Sequence, residues 1–116
     1  MEPKEFDFEF PRGDTLPITF DFKDVLGNEL TELDEIWFTL KKSYSANDFI
    51  LQKKLTTGQI EKVDGGFAFE LSHKDTASLP YGKYVYDIQI KSGTYYRTAY
   101  IGQITLTNEA TFISNE

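Results

Sequence analysis

Apolar and polar residues alternate along most of this chain, most clearly in residues 36–41 and 83–91. Successive side chains of an extended strand point to opposite faces, so a period of two marks a strand with one buried face. Both segments are therefore predicted to be strands, in which Trp37 faces outward. The residues predicted to face inward are Ile36, Phe38, Leu40, Tyr84, Tyr86, Ile88 and Ile90.

The N-terminal segment shows the same period, with acids alternating with Phe6, Phe8 and Phe10. A strand would place the three rings on one face. We expect residues 1–11 to form an edge or arm strand. Three arrangements are open: the segment pairs within its own sandwich, offers its edge to a partner, or swaps into a second copy of the chain. Deleting the residues before Arg12 is predicted to abolish oligomerisation and to leave a folded β domain.

Turn chemistry separates the predicted strands. Residues 23–28 and the run Asp64-Gly65-Gly66 carry the Asp, Asn and Gly residues of tight turns, and the second is predicted to close a hairpin. Ser72 and Asp75 have the spacing of a helix capping box, so one short helical turn is predicted near Ser72–Leu79.

The last predicted strand runs from Tyr95 to Thr107, and its alternation slips by one residue on the way. We interpret the slip as a β-bulge at Gly102. Ile18, Phe20 and Phe22 alternate with Thr19, Asp21 and Lys23 and predict one more strand. With the segments described above and those at 49–55, 59–63 and 67–71, this makes seven or eight short strands. The sequence therefore predicts one all-β domain spanning residues 1–116, a sandwich or barrel rather than an α/β fold.

Composition narrows the classes of function. The chain has no cysteine, which excludes disulfides, cysteine-based zinc sites and cysteine nucleophiles. Its net charge is −7 and its 12 Lys and Arg residues are scattered, an unfavourable distribution for binding nucleic acid. No apolar run is long enough to span a bilayer, and residues 1–5 lack the features of an export signal. Proteins are the expected partners, with no nucleic acid and no membrane.

Few residues are candidates for a catalytic or metal-binding role. His73 is the only histidine and falls in the first turn of the predicted helix, an exposed position, so we assign it to the surface. Most acids alternate with apolar residues and are expected to face water rather than to form an acid/base pair. We expect no catalytic residue, no metal site and no cofactor. Three further motifs are interpreted as ordinary turns: Arg12-Gly13-Asp14, Gly65-Gly66, and the oxygen-rich group Asp21, Asp24, Asn28 and Glu29, which lacks the spacing of a calcium loop.

Aromatic residues at predicted outward positions are the better candidates for function. Trp37 is either an interface residue or is covered by a loop or the opposite sheet. Three roles are open for the tyrosines of the last predicted strand, Tyr95, Tyr96 and Tyr100. They stack against a sugar, contact another subunit, or simply pack their rings on the domain with their hydroxyls in water. The candidate interface residues are Phe6, Phe8, Phe10, Trp37, Tyr95 and Tyr96.

A series of short motifs in fixed order resembles the immunoglobulin-like N-terminal domain of upper baseplate proteins of tailed phages. The resemblance extends from about Arg12 to about Thr107, nearly the whole chain. The motifs are Arg12-Gly13-Asp14-Thr15, Ile36-Trp37-Phe38-Thr39-Leu40-Lys41-Lys42-Ser43, residues 71–84 (LSHKDTASLPYGKY) and Tyr86-Asp87-Ile88-Gln89.

This resemblance implies an immunoglobulin-like β-sandwich that acts as a non-catalytic structural or adaptor module of a phage or prophage tail. Its partners would be other tail or baseplate proteins, or a second copy of the chain. It would be made in the bacterial cytoplasm without a signal peptide and be carried in the virion tail of an active phage. The alternative is a carbohydrate-binding β-sandwich module, with a glycoside hydrolase third.

Overall fold

The structure is a computed structural model that describes residues 3–24 and 26–107. In this part of the chain, nine strands and one short helix alternate with turns. They are β1 (Lys4–Glu5), β2 (Phe8–Pro11), β3 (Leu16–Phe20), β4 (Glu35–Lys41), β5 (Leu51–Lys54), β6 (Glu61–Val63), β7 (Gly66–Leu71), α1 (His73–Thr76), β8 (Gly82–Ser92) and β9 (Tyr95–Thr107). No helix among these residues has the length and apolar character of a membrane span.

The strands form two sheets that pack face to face. The larger sheet has the order β1-β9-β8-β4-β5, with β2 also paired to β9, and the smaller has the order β3-β7-β6. Antiparallel hairpins join β4 to β5, β6 to β7 and β8 to β9, and the chain crosses between sheets after β2, β3, β5 and β7. This is the strand order of an immunoglobulin-like sandwich, and the all-β prediction is confirmed.

The core lies between the sheets and is rich in aromatic rings. Phe38 of β4 sits at its centre, with ring centroids 4.6 Å from Phe69 and 5.5 Å from Tyr86. Antibody domains place a tryptophan and an inter-sheet disulfide in this part of the fold. The present chain has no cysteine, and packed rings from both sheets occupy that place instead.

The connection from β7 to β8, which contains α1, is held by two local hydrogen bonds. The carboxylate of Asp75 accepts a hydrogen bond from the Ser72 amide at 2.8 Å, as the capping-box spacing predicts. Two residues into β8, the buried Tyr84 donates its hydroxyl to the carbonyl of Pro80 at 2.6 Å. This tyrosine corner is a recurrent feature of immunoglobulin-like sandwiches and fixes the entry of β8 into the larger sheet.

Two details differ from the sequence prediction. The bulge does not lie at Gly102: Gln89 is opposite Thr98 and Ile88 is opposite Tyr100, so Ala99 is the extra residue. In addition, the N-terminal segment forms two short strands rather than one, because the pairing with β9 is interrupted between Glu5 and Phe8. That division brings the described strands to nine instead of seven or eight.

Candidate functional site

The N-terminal strands pair within their own chain, the first of the three arrangements that the sequence left open. Both β1 and β2 run parallel to β9 at the edge of the larger sheet. The pairing continues outside the strands, where the Phe6 amide donates to Ile101 at 3.0 Å and the Arg12 amide donates to Thr107 at 3.1 Å. The segment thus covers the edge that β9 would otherwise expose.

Gly102 is what lets this segment lie so close to β9. Gly102 is buried opposite Tyr86, and a methyl group built on it would overlap the carbonyl oxygen of Phe6. The same Phe6 carbonyl accepts a short hydrogen bond from the Tyr86 hydroxyl. Burial, and secondarily the charge of Asp7, raises the pKa of that hydroxyl, so it stays a neutral donor. The role of Gly102 is close approach, not a bulge.

The three phenylalanines of the segment occupy different environments. Phe10 is a core residue with 7% of its surface exposed. Phe8 is half-buried, with its ring centroid 5.8 Å from that of Tyr86. Phe6 is 57% exposed and contacts the Phe8 ring at 5.0 Å. Of the three, only Phe6 therefore presents a large apolar surface to a partner.

An apolar recess, here called the N-terminal groove, opens between β1–β2 of the larger sheet and β3 of the smaller one. Its volume is about 470 Å³. The floor is formed by core residues, and Lys4 and Asp21 add charges to the lining. Pro17, which has no amide hydrogen, lies in β3, the edge strand on one side of the groove. The apolar lining consists of Phe6, Phe8, Pro17, Ile18, Phe20, Phe38, Phe69, Tyr86, Ile88 and Tyr100.

On the outer face of the larger sheet, Trp37 of β4 and Tyr96 of β9 lean toward each other across β8. Their rings are 17° from parallel with centroids 6.3 Å apart, in the range of an offset stack. Trp37 is half-buried, whereas Tyr96 is 56% exposed. The Lys91 ammonium lies 5.8 Å from the Tyr96 ring centroid. We call Trp37 and Tyr96 the aromatic pair.

Tyr95 is the preceding residue of β9 and accepts a 3.4 Å hydrogen bond from Arg97.

Gln89 lies on β8 between the strands that carry the aromatic pair, opposite Trp37 on one side and Thr98 on the other. Among the hydrogen bonds of the described residues, none involves its side-chain amide. Sequence reasoning missed Gln89, although the alternation of 83–91 does place it on the outer face. Its position on the strand between those of Trp37 and Tyr96 depends on the strand order, which the alternation does not contain.

The structure gives His73 and the Arg12-Gly13-Asp14 turn structural partners. The Nδ1 atom of His73 lies 2.7 Å from the carbonyl oxygen of Gly13, and the Gly13 amide donates to the Thr76 hydroxyl at 2.9 Å. Arg12 donates to the carbonyl of Leu79 at 3.3 Å and stacks 4.2 Å from the centroid of the Tyr81 ring. The turn is therefore docked on α1 and the residues that follow it.

The oxygen-rich group around Asp24 is also a turn. One oxygen of the Asp24 carboxylate accepts the amides of Leu26 at 2.9 Å and Asn28 at 3.0 Å. These bonds, the Asn28 amide first, lower the pKa of Asp24 despite the opposing effect of burial. In residues 3–24 and 26–107, no group of three His, Cys, Asp or Glu residues is placed to hold a metal ion.

Asp87 and Asp75 show opposite electrostatic behaviour. Asp87 lies on the outer face opposite Thr39 and Ile101; burial raises the pKa of its carboxyl, and Lys41 offsets this in part. Its two cross-strand neighbours carry no second carboxyl to complete an acid/base pair. For Asp75, burial also raises the pKa, but the Ser72 amide and the ammonium of Lys53 outweigh it and lower the pKa.

Comparisons with protein-family models, with curated proteins and with solved structures find no match to this chain.

Proposed function

We propose that this chain is a non-catalytic adaptor module of a phage or prophage tail or baseplate, and that it docks to neighbouring tail proteins through the N-terminal groove. The observation that carries the proposal is the exposed Phe6 ring beside an open apolar recess. The order of motifs that resembles upper baseplate domains supplies the class of partner.

The groove has the composition expected of a protein-docking site. Its lining is mainly aromatic and aliphatic, and charged Lys4 and Asp21 lie among these side chains. Interfaces have the same plan of an apolar centre with a polar rim. Burying the exposed ring of Phe6 under a partner would contribute roughly 1–2 kcal/mol. An apolar residue of the partner that enters the groove would add a similar amount.

The contacts of His73, the one histidine weighed for catalysis, and of Asp75 in the same helix support a structural role. His73 is within hydrogen-bonding distance of Gly13, and the Asp75 carboxylate accepts the Ser72 amide and pairs with Lys53 at 3.0 Å. These contacts hold the connection between β7 and β8 in place. His73 and Asp75 therefore stabilise the sandwich, and the proposed contacts with partners are made elsewhere, at the N-terminal groove.

The proposal is tested by measuring binding to each purified tail protein encoded in the neighbouring genes, by biolayer interferometry. Phe6→Ser removes the exposed ring, and Thr19→Arg places a long charged side chain in the lining of the groove. Each variant is expected to weaken binding to one of these proteins at least tenfold, which corresponds to about 1.4 kcal/mol.

Leu26→Ser is the matched control, because Leu26 is 82% exposed in the Asp24 turn and does not line the groove. It should bind as the wild type does. Two results would overturn the proposal: no tail protein binds the wild-type chain, or both groove variants bind as tightly as the Leu26→Ser control.

A further inference from the structure

We propose that the aromatic pair and Gln89 form a saccharide-binding site on the outer face of the larger sheet. This site is separate from the N-terminal groove, with which it shares no residue. It does not depend on the adaptor function, and either proposal can fail without the other.

The aromatic pair supplies the stacking surface. The C–H bonds on one face of a pyranose ring carry partial positive charge, and the face of an aromatic ring is negative. Trp37 holds Tyr96 in a near-parallel orientation, at 17°, so the exposed Tyr96 ring is fixed before a ligand arrives. Fixing the ring in advance lowers the entropy that binding must overcome.

Gln89 supplies the polar recognition. A side-chain amide offers one acceptor and two donors, which can bond to neighbouring hydroxyls of one sugar. The amide of Gln89 makes no hydrogen bond within the described part of the chain, and its strand lies between those of the two rings. Thr98, opposite Gln89 on β9, is half-buried on the same face and adds a hydroxyl beside the amide.

The surroundings favour a saccharide over a protein partner at this place. Trp37 is half-buried, so Tyr96 is the main exposed apolar surface of the pair. Lys54 lies opposite Trp37, and Lys91 lies opposite both Glu35 and Tyr96. The centres of protein interfaces are depleted of such charged residues. One exposed ring among amide, hydroxyl and ammonium groups matches a ligand with one apolar face and a rim of hydroxyls.

The nearby acids are already engaged. The Asp34 carboxylate accepts the Gly93 amide at 2.6 Å, and the Glu35 carboxylate accepts the amides of Ile36 and Thr56, both at 3.0 Å. Both carboxylates keep their negative charge, but these hydrogen bonds hold them against backbone amides, which leaves the amide of Gln89 and the hydroxyl of Thr98 as the polar groups beside the aromatic pair. This composition suits recognition of neutral sugar hydroxyls without an acid/base pair that would cleave the glycosidic bond.

Trp37 is the only tryptophan of the chain, so its fluorescence reports directly on this site. We would titrate the full chain with cellotetraose, chitotetraose, maltotetraose and purified bacterial cell-wall polysaccharide. At least one of them is expected to give a saturable change of emission. Tyr96→Ala and Gln89→Ala, with Trp37 retained, are each expected to weaken that binding fivefold or more.

Tyr95→Ala is the matched control, because Tyr95 is 48% exposed, adjoins Tyr96 and does not stack on Trp37. It should bind the sugar as tightly as the wild type. Thermal unfolding confirms that each variant is folded. The proposal is overturned if no probe gives a saturable change, if Tyr96→Ala and Gln89→Ala bind like Tyr95→Ala, or if Tyr96→Ala abolishes binding to a tail protein and leaves sugar binding intact.

Discussion

At the scale of single residues, Asp75 is the carboxylate that links α1 to β5. It accepts the Ser72 amide at the start of α1 and pairs with Lys53 of β5 at 3.0 Å. Both side chains of the pair are largely buried, with 14% of Lys53 and 22% of Asp75 exposed. Asp75→Asn removes the charge and leaves the Lys53 ammonium without its partner. We expect a loss of about 1–2 kcal/mol in the free energy of unfolding at pH 7.

The sign of the pH dependence follows from the lowered pKa of Asp75. A carboxyl whose pKa is lower in the folded state stabilises the fold above the unfolded pKa, about 3.9, and loses this effect as the pH falls through the folded value. Urea unfolding at several pH values checks it. The stability gap between wild type and Asp75→Asn should be full at pH 6 and shrink below about pH 4. A gap that stays constant down to pH 2 would contradict the assignment.

At the scale of elements, the attachment of β1 and β2 depends on one glycine. Gly102→Ala introduces a methyl group that overlaps the Phe6 carbonyl and comes within 2.9 Å of the Tyr86 ring. The N-terminal strands must shift, and the buried Tyr86 hydroxyl then loses its acceptor. We expect a loss of about 1–3 kcal/mol in stability. Hydrogen exchange should show faster exchange of the Phe6 and Phe10 amides, with the amides of β4 less affected.

Thr105→Ala is the control for this prediction, since Thr105 lies on the same strand opposite Glu9 and its side chain makes no hydrogen bond in the described part of the chain. It should leave the exchange of the N-terminal strands unchanged. If Gly102→Ala also left that exchange and the stability unchanged, the close approach of Phe6 to β9 would be wrong.

The elements that the sequence predicted well are those defined by local chemistry. Alternation of period two identified β4 and β8, and the Asp64-Gly65-Gly66 turn and the Ser72–Asp75 cap marked a hairpin and the helix. Alternation shows which face of a strand is buried but not which strand lies beside it. The sequence therefore could not predict the parallel pairing of the N-terminal strands with β9, or that Gln89 lies on the strand between those of Trp37 and Tyr96. The slip in β9 was detectable, but its site at Ala99 depends on the register with β8.

At the scale of the whole molecule, the edge strands β2, β3 and β5 have features that hinder further pairing. Glu9 and Pro11 lie in β2, Pro17 lies in β3, and the Gln59 and Ile60 amides donate to the Lys54 carbonyl beside β5. Charged residues and proline on edge strands hinder edge-to-edge association. Binding is therefore expected at the N-terminal groove and the outer face rather than by addition of a strand.

Deletion of residues 1–11 would remove this protection from β9. The sequence alone predicted that such a deletion abolishes oligomerisation, but pairing of β1 and β2 within their own sheet reverses that expectation. The deletion would expose a 13-residue strand with unpaired backbone groups and would remove Phe10 from the core. We expect lower stability and greater self-association. Light scattering after size-exclusion chromatography should give a larger mass for the truncated chain than for the full chain. A truncated chain that stayed monomeric and kept its stability would show that the N-terminal strands are an accessory to the sandwich rather than one of its structural edges.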